Sequence, residues 1–149
     1  MKRTQLRSKD VRQELEAFTI YLGKKDQVEL VEDELTLLRI NDVNAFFKLQ
    51  ERWIPTLRYL QTNNVLKIVV VDMGAIKFLI GGADVMRPGI VEIDEQIAKE
   101  EVIVIVDVNN KKPIAVGIAL LSGTEMKAAT SGKVIRNIHY VGDKIWQKA

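Results

Sequence analysis

The sequence has no cysteine and only one histidine among its 149 residues. Without cysteine the chain forms no disulfide bonds and offers no thiolate ligands to a metal, although this absence does not identify the redox compartment. A zinc site made of histidine and cysteine would lack ligands, because His139 is the only side chain of either kind. Functions that depend on such sites are therefore excluded.

The sequence also has no long hydrophobic run. No apolar segment approaches the roughly 20 residues that a membrane-spanning helix requires. The basic N-terminus, MKRTQLRSKD, is not followed by the hydrophobic core of a signal peptide. We therefore expect no membrane association and no export, which leaves the cytoplasm as the default location.

The common motifs of nucleotide chemistry are absent as well. The sequence contains neither the loop Gly-x4-Gly-Lys-Ser/Thr nor the dinucleotide fingerprint Gly-x-Gly-x-x-Gly. His139 has no serine or cysteine nucleophile nearby and lies in an apolar strand pattern, which favours a structural role with a ring nitrogen bonded to backbone. Asp94 and Glu95 could bind a hard cation, but adjacent acidic residues in a turn are more often simply exposed to solvent. The sequence predicts no catalytic residue, no metal site and no cofactor.

What the chain does contain is typical of a soluble globular protein, with 47% hydrophobic and 28% charged residues. The net charge is only +2, but the charges are segregated. Six acids accompany one lysine between Glu92 and Asp107, whereas seven lysines and arginines face two acids from Val108 onward. Segregation of this kind can create a basic face, which attraction to phosphate requires.

The first part of the chain begins with a helical pattern. Four apolar residues recur at helical spacing, and Ser8 or Asp10 before them suits the N-cap position. These four are Val11, Leu15, Phe18 and Leu22.

Strand patterns follow the predicted helix. Asn41 and Asp42 are predicted to form the turn between the second and third of these strands. A helix over 42–50 remains the alternative to the third strand. Pro55 suits the first position of a short helix through Leu60, and the polar residues 61–64 end this unit. The predicted strands are 28–31, 35–40 and 43–49.

The character of the sequence changes near residue 65. The apolar run LKIVVVD ends in Asp72, which can cap a helix that begins near Gly74. Lys77 is expected to point away from the apolar face of that helix, and Gly81 or Gly82 to end it in a left-handed conformation. The apolar face is predicted to contain Ile76, Leu79 and Ile80.

Buried strands dominate the remainder. EVIVIVDV and PIAVGIALL are nearly continuous apolar runs separated by the turn residues 109–112. Ser122 and Glu125 have the spacing of a capping box, which predicts a second short helix. The segments GKVIRNIHYV and KIW are predicted to be the closing strands. The predicted fold class is α+β, with a small α/β unit over residues 1–65 and a β-barrel with two short helices over residues 66–149.

Three blocks of sequence carry a family resemblance. GAIKFLIGGADVMRPGI resembles the signature of the PUA domain, an RNA-binding module with a pseudobarrel fold. A narrower resemblance is to the family of the malignant T-cell amplified sequence protein and the yeast translation-machinery-associated protein. It is carried by three separate blocks, which in chain order are WIPTLRYL, VDMGAIKF and NIHYVGDKIW. The resemblance covers essentially the whole chain. It implies a pre-PUA unit over residues 1–65 and a PUA domain over residues 66–149.

The resemblance also implies a function. Members of this family bind the small ribosomal subunit and act in initiation, reinitiation or recycling, usually with a partner that carries an SUI1-type domain. The chain has no SUI1-like segment of its own. It is therefore expected to be the part that anchors to RNA, with any handling of transfer RNA left to a partner.

The glycine-rich turn is the site that the resemblance implies for RNA, because residues without a Cβ let the backbone approach closely. Lys77 and Arg87 are predicted to contact phosphate, and Asp84 to brace the turn through backbone hydrogen bonds. Phe78 and Met86 are interpreted as core. The predicted RNA-binding residues are Lys77, Gly82, Ala83, Asp84, Arg87, Pro88, Gly89, Lys127 and Arg136, and Lys111, Lys112 and Lys133 could extend the basic face.

Three functional hypotheses remain open at this point. The first is an RNA-binding translation factor that acts on the small ribosomal subunit. The second is an RNA-binding accessory of a system that modifies transfer or ribosomal RNA. The third is a protein-interaction module that uses Arg52, Trp53 and Tyr59, although Trp53 is more often a core anchor than a binding hot spot.

Overall fold

The computed structural model describes residues 1–149, which form two compact units. The first contains residues 1–65 together with residues 147–149, and the second contains residues 66–146. Both units combine a β-sheet with short helices, so the predicted α+β class is confirmed. That either unit folds as an independent domain stays a prediction.

The N-terminal unit contains a five-stranded antiparallel sheet in which each strand pairs with the next along the chain. A two-residue hairpin turn requires positive φ angles, and Asn41 and Asp42 supply them with φ of 49° and 67°. The predicted turn is confirmed, whereas the first strand was not predicted. The strands are β1 (Lys2–Leu6), β2 (Val28–Glu32), β3 (Thr36–Ile40), β4 (Val43–Leu49) and β5 (Arg52–Pro55).

Strand β4 departs from simple alternation. Its register against β3 shifts beside Arg39, so that Ala45 has no residue opposite it. Because of this bulge, the neighbours Ala45 and Phe46 are both fully buried. The strand predicted over 43–49 is confirmed and the helical alternative is wrong, and Val43 at the start of the strand is 45% exposed.

The first helix, α1 (Arg12–Glu16), is shorter than its apolar pattern predicted. Ser8 and Asp10 do not cap it. They lie in a 3-10 turn, in which the Asp10 carboxylate accepts a hydrogen bond from the backbone N–H of Arg7 at 2.9 Å. Thr19 adopts a positive φ of 58°. Because a right-handed helix requires a negative φ, the helix cannot extend through this residue to Leu22.

The core of this unit is built around an aromatic cluster. The ring of Phe46 lies 5.7 Å from the rings of both Phe18 and Tyr59, measured between centroids. Trp53 is only 7% exposed and belongs to the same core, which confirms its interpretation as an anchor. Lys48 covers the outer face of that ring, with its Nζ atom 4.9 Å from the centroid.

The second helix starts later than predicted. Pro55 is the last residue of β5, an edge strand where a missing N–H donor is tolerated, and α2 (Leu57–Leu60) follows it. Thr56 is the N-cap, because its Oγ1 atom accepts a hydrogen bond from the backbone N–H of Tyr59 at 3.2 Å. The same hydroxyl donates to the carbonyl of Asn44 at 2.8 Å.

Six strands form the sheet of the second unit. They are β6 (Ile68–Val71), β7 (Val85–Met86), β8 (Ile90–Ile93), β9 (Val102–Asp107), β10 (Pro113–Ala119) and β11 (Lys133–Tyr140). They pair in the order β7-β11-β10-β9-β6-β8, and only the β6–β9 pair is parallel. All six residues of β9 are buried, as its continuous apolar run predicted. The sheet is nearly closed into a barrel around one apolar core.

Three short helices accompany this barrel, and they are α3 (Met73–Leu79), α4 (Gly123–Ala128) and α5 (Lys144–Lys148). The capping box of α4 is confirmed, since the Ser122 hydroxyl accepts from the N–H of Glu125 at 3.2 Å and the Glu125 carboxylate accepts from the N–H of Ser122 at 3.0 Å. The KIW segment is helical in α5, so its assignment as a closing strand is wrong. None of the helices has the length and apolar character needed to cross a bilayer.

We expect residues 66–149 to fold cooperatively when they are expressed alone. The reason is that one continuous core cluster, which includes Val69, Ile105, Met126 and Ile135, lies entirely within this fragment. A single thermal transition followed by circular dichroism checks this. A fragment without a transition would show that the two units depend on each other for folding.

Candidate nucleic-acid interface

Helix α3 begins where the sequence predicted. The Asp72 carboxylate accepts a hydrogen bond from the backbone N–H of Ala75 at 2.9 Å and so caps the helix. Ala75, Ile76 and Leu79 pack against the barrel core. Ile80 was predicted to share this face but is 46% exposed. Only part of the expected apolar face is therefore buried.

Gly82 shapes the turn that follows α3. Its φ angle is 94°, which confirms that Gly82 and not Gly81 takes the left-handed conformation. Asn137 of β11 holds this turn, because its side-chain amide donates hydrogen bonds to the carbonyls of Leu79 and Ala83, each at 3.0 Å. No sequence pattern pointed to Asn137, since these partners lie 58 and 54 positions away in the chain.

Asp84 ties the same turn to β11. Its carboxylate accepts a hydrogen bond from the backbone N–H of Asn137 at 2.8 Å and pairs with Lys133 Nζ at 2.9 Å. Burial pushes the pKa of Asp84 upward, but the hydrogen bonds from Lys133 and Asn137 and the charges of Lys133 and Arg136 outweigh burial and hold the pKa below its ordinary value. Asp84 braces the turn as predicted, although its backbone partner lies on the strand.

A groove with a volume of about 560 Å³ opens beside this turn, between α3 and the segment that follows it. We call it the α3 groove. Phe78 and Met86 line it and are 61% and 51% exposed, so their interpretation as core residues is wrong. Phe78 is exposed because the short helix α3 buries only one face, and Phe78 lies on another. Met86 is exposed because β7 is a two-residue strand at the edge of the sheet.

The structure brings part of the predicted RNA-binding set together at this groove. Ala83, Asp84, Pro88 and Gly89 all contribute to its lining. Lys77 is exposed on α3, with its Nζ atom 5.2 Å from the centroid of the Phe78 ring. A cation therefore lies beside an exposed aromatic ring, an arrangement suited to a phosphate next to a stacked base.

Arg87 and Lys127 lie elsewhere. The Arg87 guanidinium donates to the carbonyl of Met126 at 2.6 Å from Nε and to the carbonyl of Ile90 at 3.4 Å from Nη1. Together with Lys127 it lines a separate depression of about 400 Å³. Arg87 thus fastens its 3-10 turn (Arg87–Gly89) to α4, and its contact with phosphate stays a prediction.

The other basic side chains are mostly in surface ion pairs. Lys127 contacts Glu95 at 2.8 Å and Lys111 contacts Glu92 at 3.3 Å, so the basic and acidic stretches of the sequence meet in the fold. Such exposed pairs contribute about 0–1 kcal/mol, and a phosphate could replace their carboxylates. Arg136 is exposed on β11 and belongs to none of the ion pairs.

His139 lies outside the α3 groove and is fully buried. Its Nδ1 atom contacts the Asp143 carboxylate at 2.9 Å, a partner that the sequence did not predict, and the full burial of the ring agrees with the predicted structural role. Burial pushes the pKa of Asp143 upward, but hydrogen bonds from His139, Trp146 and Tyr140 outweigh it and hold the pKa below its ordinary value. The two side chains of this pair are 0% and 11% exposed, so little of either reaches the surface.

Comparison with known proteins identifies the family. The family model of the PUA domain matches residues 67–141. Translation machinery-associated protein 20 of Schizosaccharomyces pombe is 34% identical over 134 residues, which are 85% of this chain and 74% of that protein. The chain belongs to the translation machinery-associated family of PUA-domain proteins. The predicted resemblance is therefore confirmed.

Further relatives of this PUA-domain protein come from archaea and vertebrates. An uncharacterized protein of Methanocaldococcus jannaschii is 50% identical over 144 residues, 93% of this chain and 89% of that one. Malignant T-cell-amplified sequence 1-B of Xenopus laevis is 33% identical over 132 residues, 84% of this chain and 73% of that one. The crystal structure of a hypothetical protein from Pyrococcus horikoshii matches with a TM-score of 0.84 and 32% identity, over 99% of both chains.

Proposed function

We propose that this PUA-domain protein binds structured RNA through the α3 groove and Lys77, and that it acts in translation on the small ribosomal subunit. The observation that carries the proposal is the open apolar groove with the exposed Phe78 and Met86, next to a free lysine and a glycine turn. Membership in a family named for the translation machinery supports the cellular role.

The groove suits an unpaired nucleotide better than a regular helix. A base that has left its stack exposes a flat apolar face, which can pack on Phe78 and Met86. Lys77 lies beside the Phe78 ring and can pair with the adjoining phosphate. Gly82 supplies the positive φ of the turn, and the side on which its Cβ atom is missing packs against the ring of Tyr140.

The proposal includes no catalytic step. In this fold His139 is buried against Asp143, and no group of three or more histidine or acidic side chains is placed to hold a metal ion. A binding protein that works with a partner fits these features, and the family resemblance implies a partner with an SUI1-type domain. The proposal implies a cytoplasmic protein.

The salt dependence of RNA binding tests the proposal. We expect Lys77→Ala to weaken binding of a stem-loop RNA and to lower the slope of log affinity against log salt by about 0.7, the value for one phosphate contact on a single strand. Lys99→Ala is the matched control, because Lys99 is also exposed but lies outside the α3 groove. Fluorescence anisotropy at several salt concentrations gives both slopes.

Sedimentation of the protein with purified ribosomal subunits tests the cellular part of the proposal. Wild-type protein is expected in the small-subunit fraction, and Lys77→Ala in the unbound fraction. Equal behaviour of Lys77→Ala and wild type in both assays would contradict the proposed site. Binding to free transfer RNA without binding to subunits would favour an accessory of RNA modification instead.

A further inference from the structure

The α3 groove contains one carboxylate oxygen that no protein group uses. Asp72 Oδ1 accepts the capping hydrogen bond from Ala75, whereas none of the hydrogen bonds or ion pairs of the chain engages Asp72 Oδ2. The only other acidic side chain of the lining is Asp84, whose two oxygens are taken by Asn137 and Lys133. Asp72 therefore offers the one open side-chain acceptor in an otherwise apolar groove.

We infer that the α3 groove selects an unpaired base that carries an exocyclic amino group, with Asp72 as the residue that reads it. The inference rests on the proposed RNA-binding function and adds a preference among bases to it. A carboxylate accepts hydrogen bonds from the amino groups of cytosine, adenine and guanine. Phe78 and Met86 hold the faces of the base, which leaves its edge for Asp72.

Uracil is disfavoured at the same position. It has no amino group, and its single ring N–H lies between two carbonyl oxygens. These oxygens would lie close to the Asp72 carboxylate and would be repelled by its negative charge. A phosphate is also a poor occupant, because the groove lining contains two acids and no basic side chain. Lys77 outside the lining takes the phosphate, and the groove takes the base.

Cytosine and uracil provide the cleanest comparison, because both are pyrimidines and differ little in size. The probes are hairpin RNAs that differ only in one unpaired nucleotide beside the stem. We expect wild-type protein to bind the cytosine hairpin about tenfold more tightly than the uracil hairpin, which corresponds to one hydrogen bond to a charged group. Asp72→Asn is expected to reduce this ratio to about one, because an amide presents both a donor and an acceptor.

The design separates a change in recognition from a change in folding. Asparagine is as good an N-cap as aspartate, so Asp72→Asn keeps α3 capped, and an unchanged thermal transition confirms this. Asp94→Asn is the matched control, since Asp94 also accepts a local backbone hydrogen bond but lies outside the groove. It should keep the wild-type ratio.

Three results would overturn the inference in distinguishable ways. If wild type binds both hairpins equally while Lys77→Ala still weakens binding, the groove does not read the amino group and the proposed function stands. If Asp72→Asn keeps the tenfold ratio, another residue reads the base. If wild type binds neither hairpin, the proposed function fails together with the inference.

Discussion

Replacing Asp143 with alanine is expected to lower the free energy of unfolding by about 3 kcal/mol, a large effect for a polar side chain. The carboxylate accepts hydrogen bonds from the backbone N–H groups of Tyr140 and Trp146 and contacts the ring of His139. Its side chain is only 11% exposed, so water replaces these contacts poorly. Urea denaturation of both proteins at pH 7 measures the difference.

The same carboxylate makes part of the stability depend on pH. The pKa of Asp143 is below its ordinary value in the folded protein, so the stabilisation is complete above the ordinary pKa of 3.8 and is lost as the pH falls through the lowered pKa. The difference in stability between wild type and Asp143→Asn should therefore shrink between about pH 4 and pH 2. Asp94→Asn, an exposed turn position, controls for general effects of charge. A difference that stays constant over this range would contradict the assignment.

Replacing Phe78 with alanine is expected to weaken RNA binding about tenfold, because stacking of a base on an aromatic ring contributes about 1–3 kcal/mol. The thermal transition should stay unchanged, since Phe78 is 61% exposed and lies outside the core. Val91→Ala is the control, because Val91 is also an exposed apolar residue, at 51%, but is not part of the α3 groove. Anisotropy titrations and thermal transitions of both variants measure the two effects.

The outcome of the Phe78 experiment discriminates between two uses of the groove. Loss of RNA affinity in Phe78→Ala with no change in Val91→Ala supports base stacking. If Phe78→Ala binds RNA as wild type does, then the exposed ring serves another purpose, such as contact with a protein partner, and the groove is not the RNA site.

Much of the fold follows from local sequence patterns. The buried run of β9 could be predicted because both faces of a central strand are covered, which produces continuous apolar sequence. The caps Asp72 and Ser122 could be predicted because an N-cap interacts with residues only three positions away. The same locality explains the Asn41–Asp42 turn.

Other features depend on contacts that are distant in the sequence. The KIW segment is a different case, because its assignment as a strand overlooked a local signal: Asp143 accepts a hydrogen bond from the backbone N–H of Trp146 only three positions later, at the start of α5. Arg87 looks like a free cation, but its position against the carbonyl of Met126 is set by the packing of α4. Such long-range partners are not encoded in any short window of residues.

The turn beside the candidate site could be predicted from the sequence, whereas the exposure of two apolar side chains next to it could not. The glycine turn could be located because Gly81 and Gly82 follow directly on the apolar pattern of α3, and Gly82 takes the left-handed conformation with a φ angle of 94°. Phe78 and Met86 were assigned to the core on hydrophobicity alone, which does not distinguish a buried face from the rim of a groove. Asp72 was recognised as a cap, whereas its open second oxygen is visible only in the structure.

Ultraviolet crosslinking of the protein to a stem-loop RNA tests the central claim most directly, because it identifies the protein segment that touches RNA. After trypsin digestion most of the groove residues, with Phe78 and Met86 among them, fall in the peptide of residues 78–99, since Pro88 blocks cleavage after Arg87, whereas Asp72 falls in the preceding peptide of residues 68–77. Mass spectrometry is expected to find the crosslinked nucleotide on this peptide, at Phe78 or Met86. Crosslinks confined to other segments, with none between residues 72 and 89, would contradict the account.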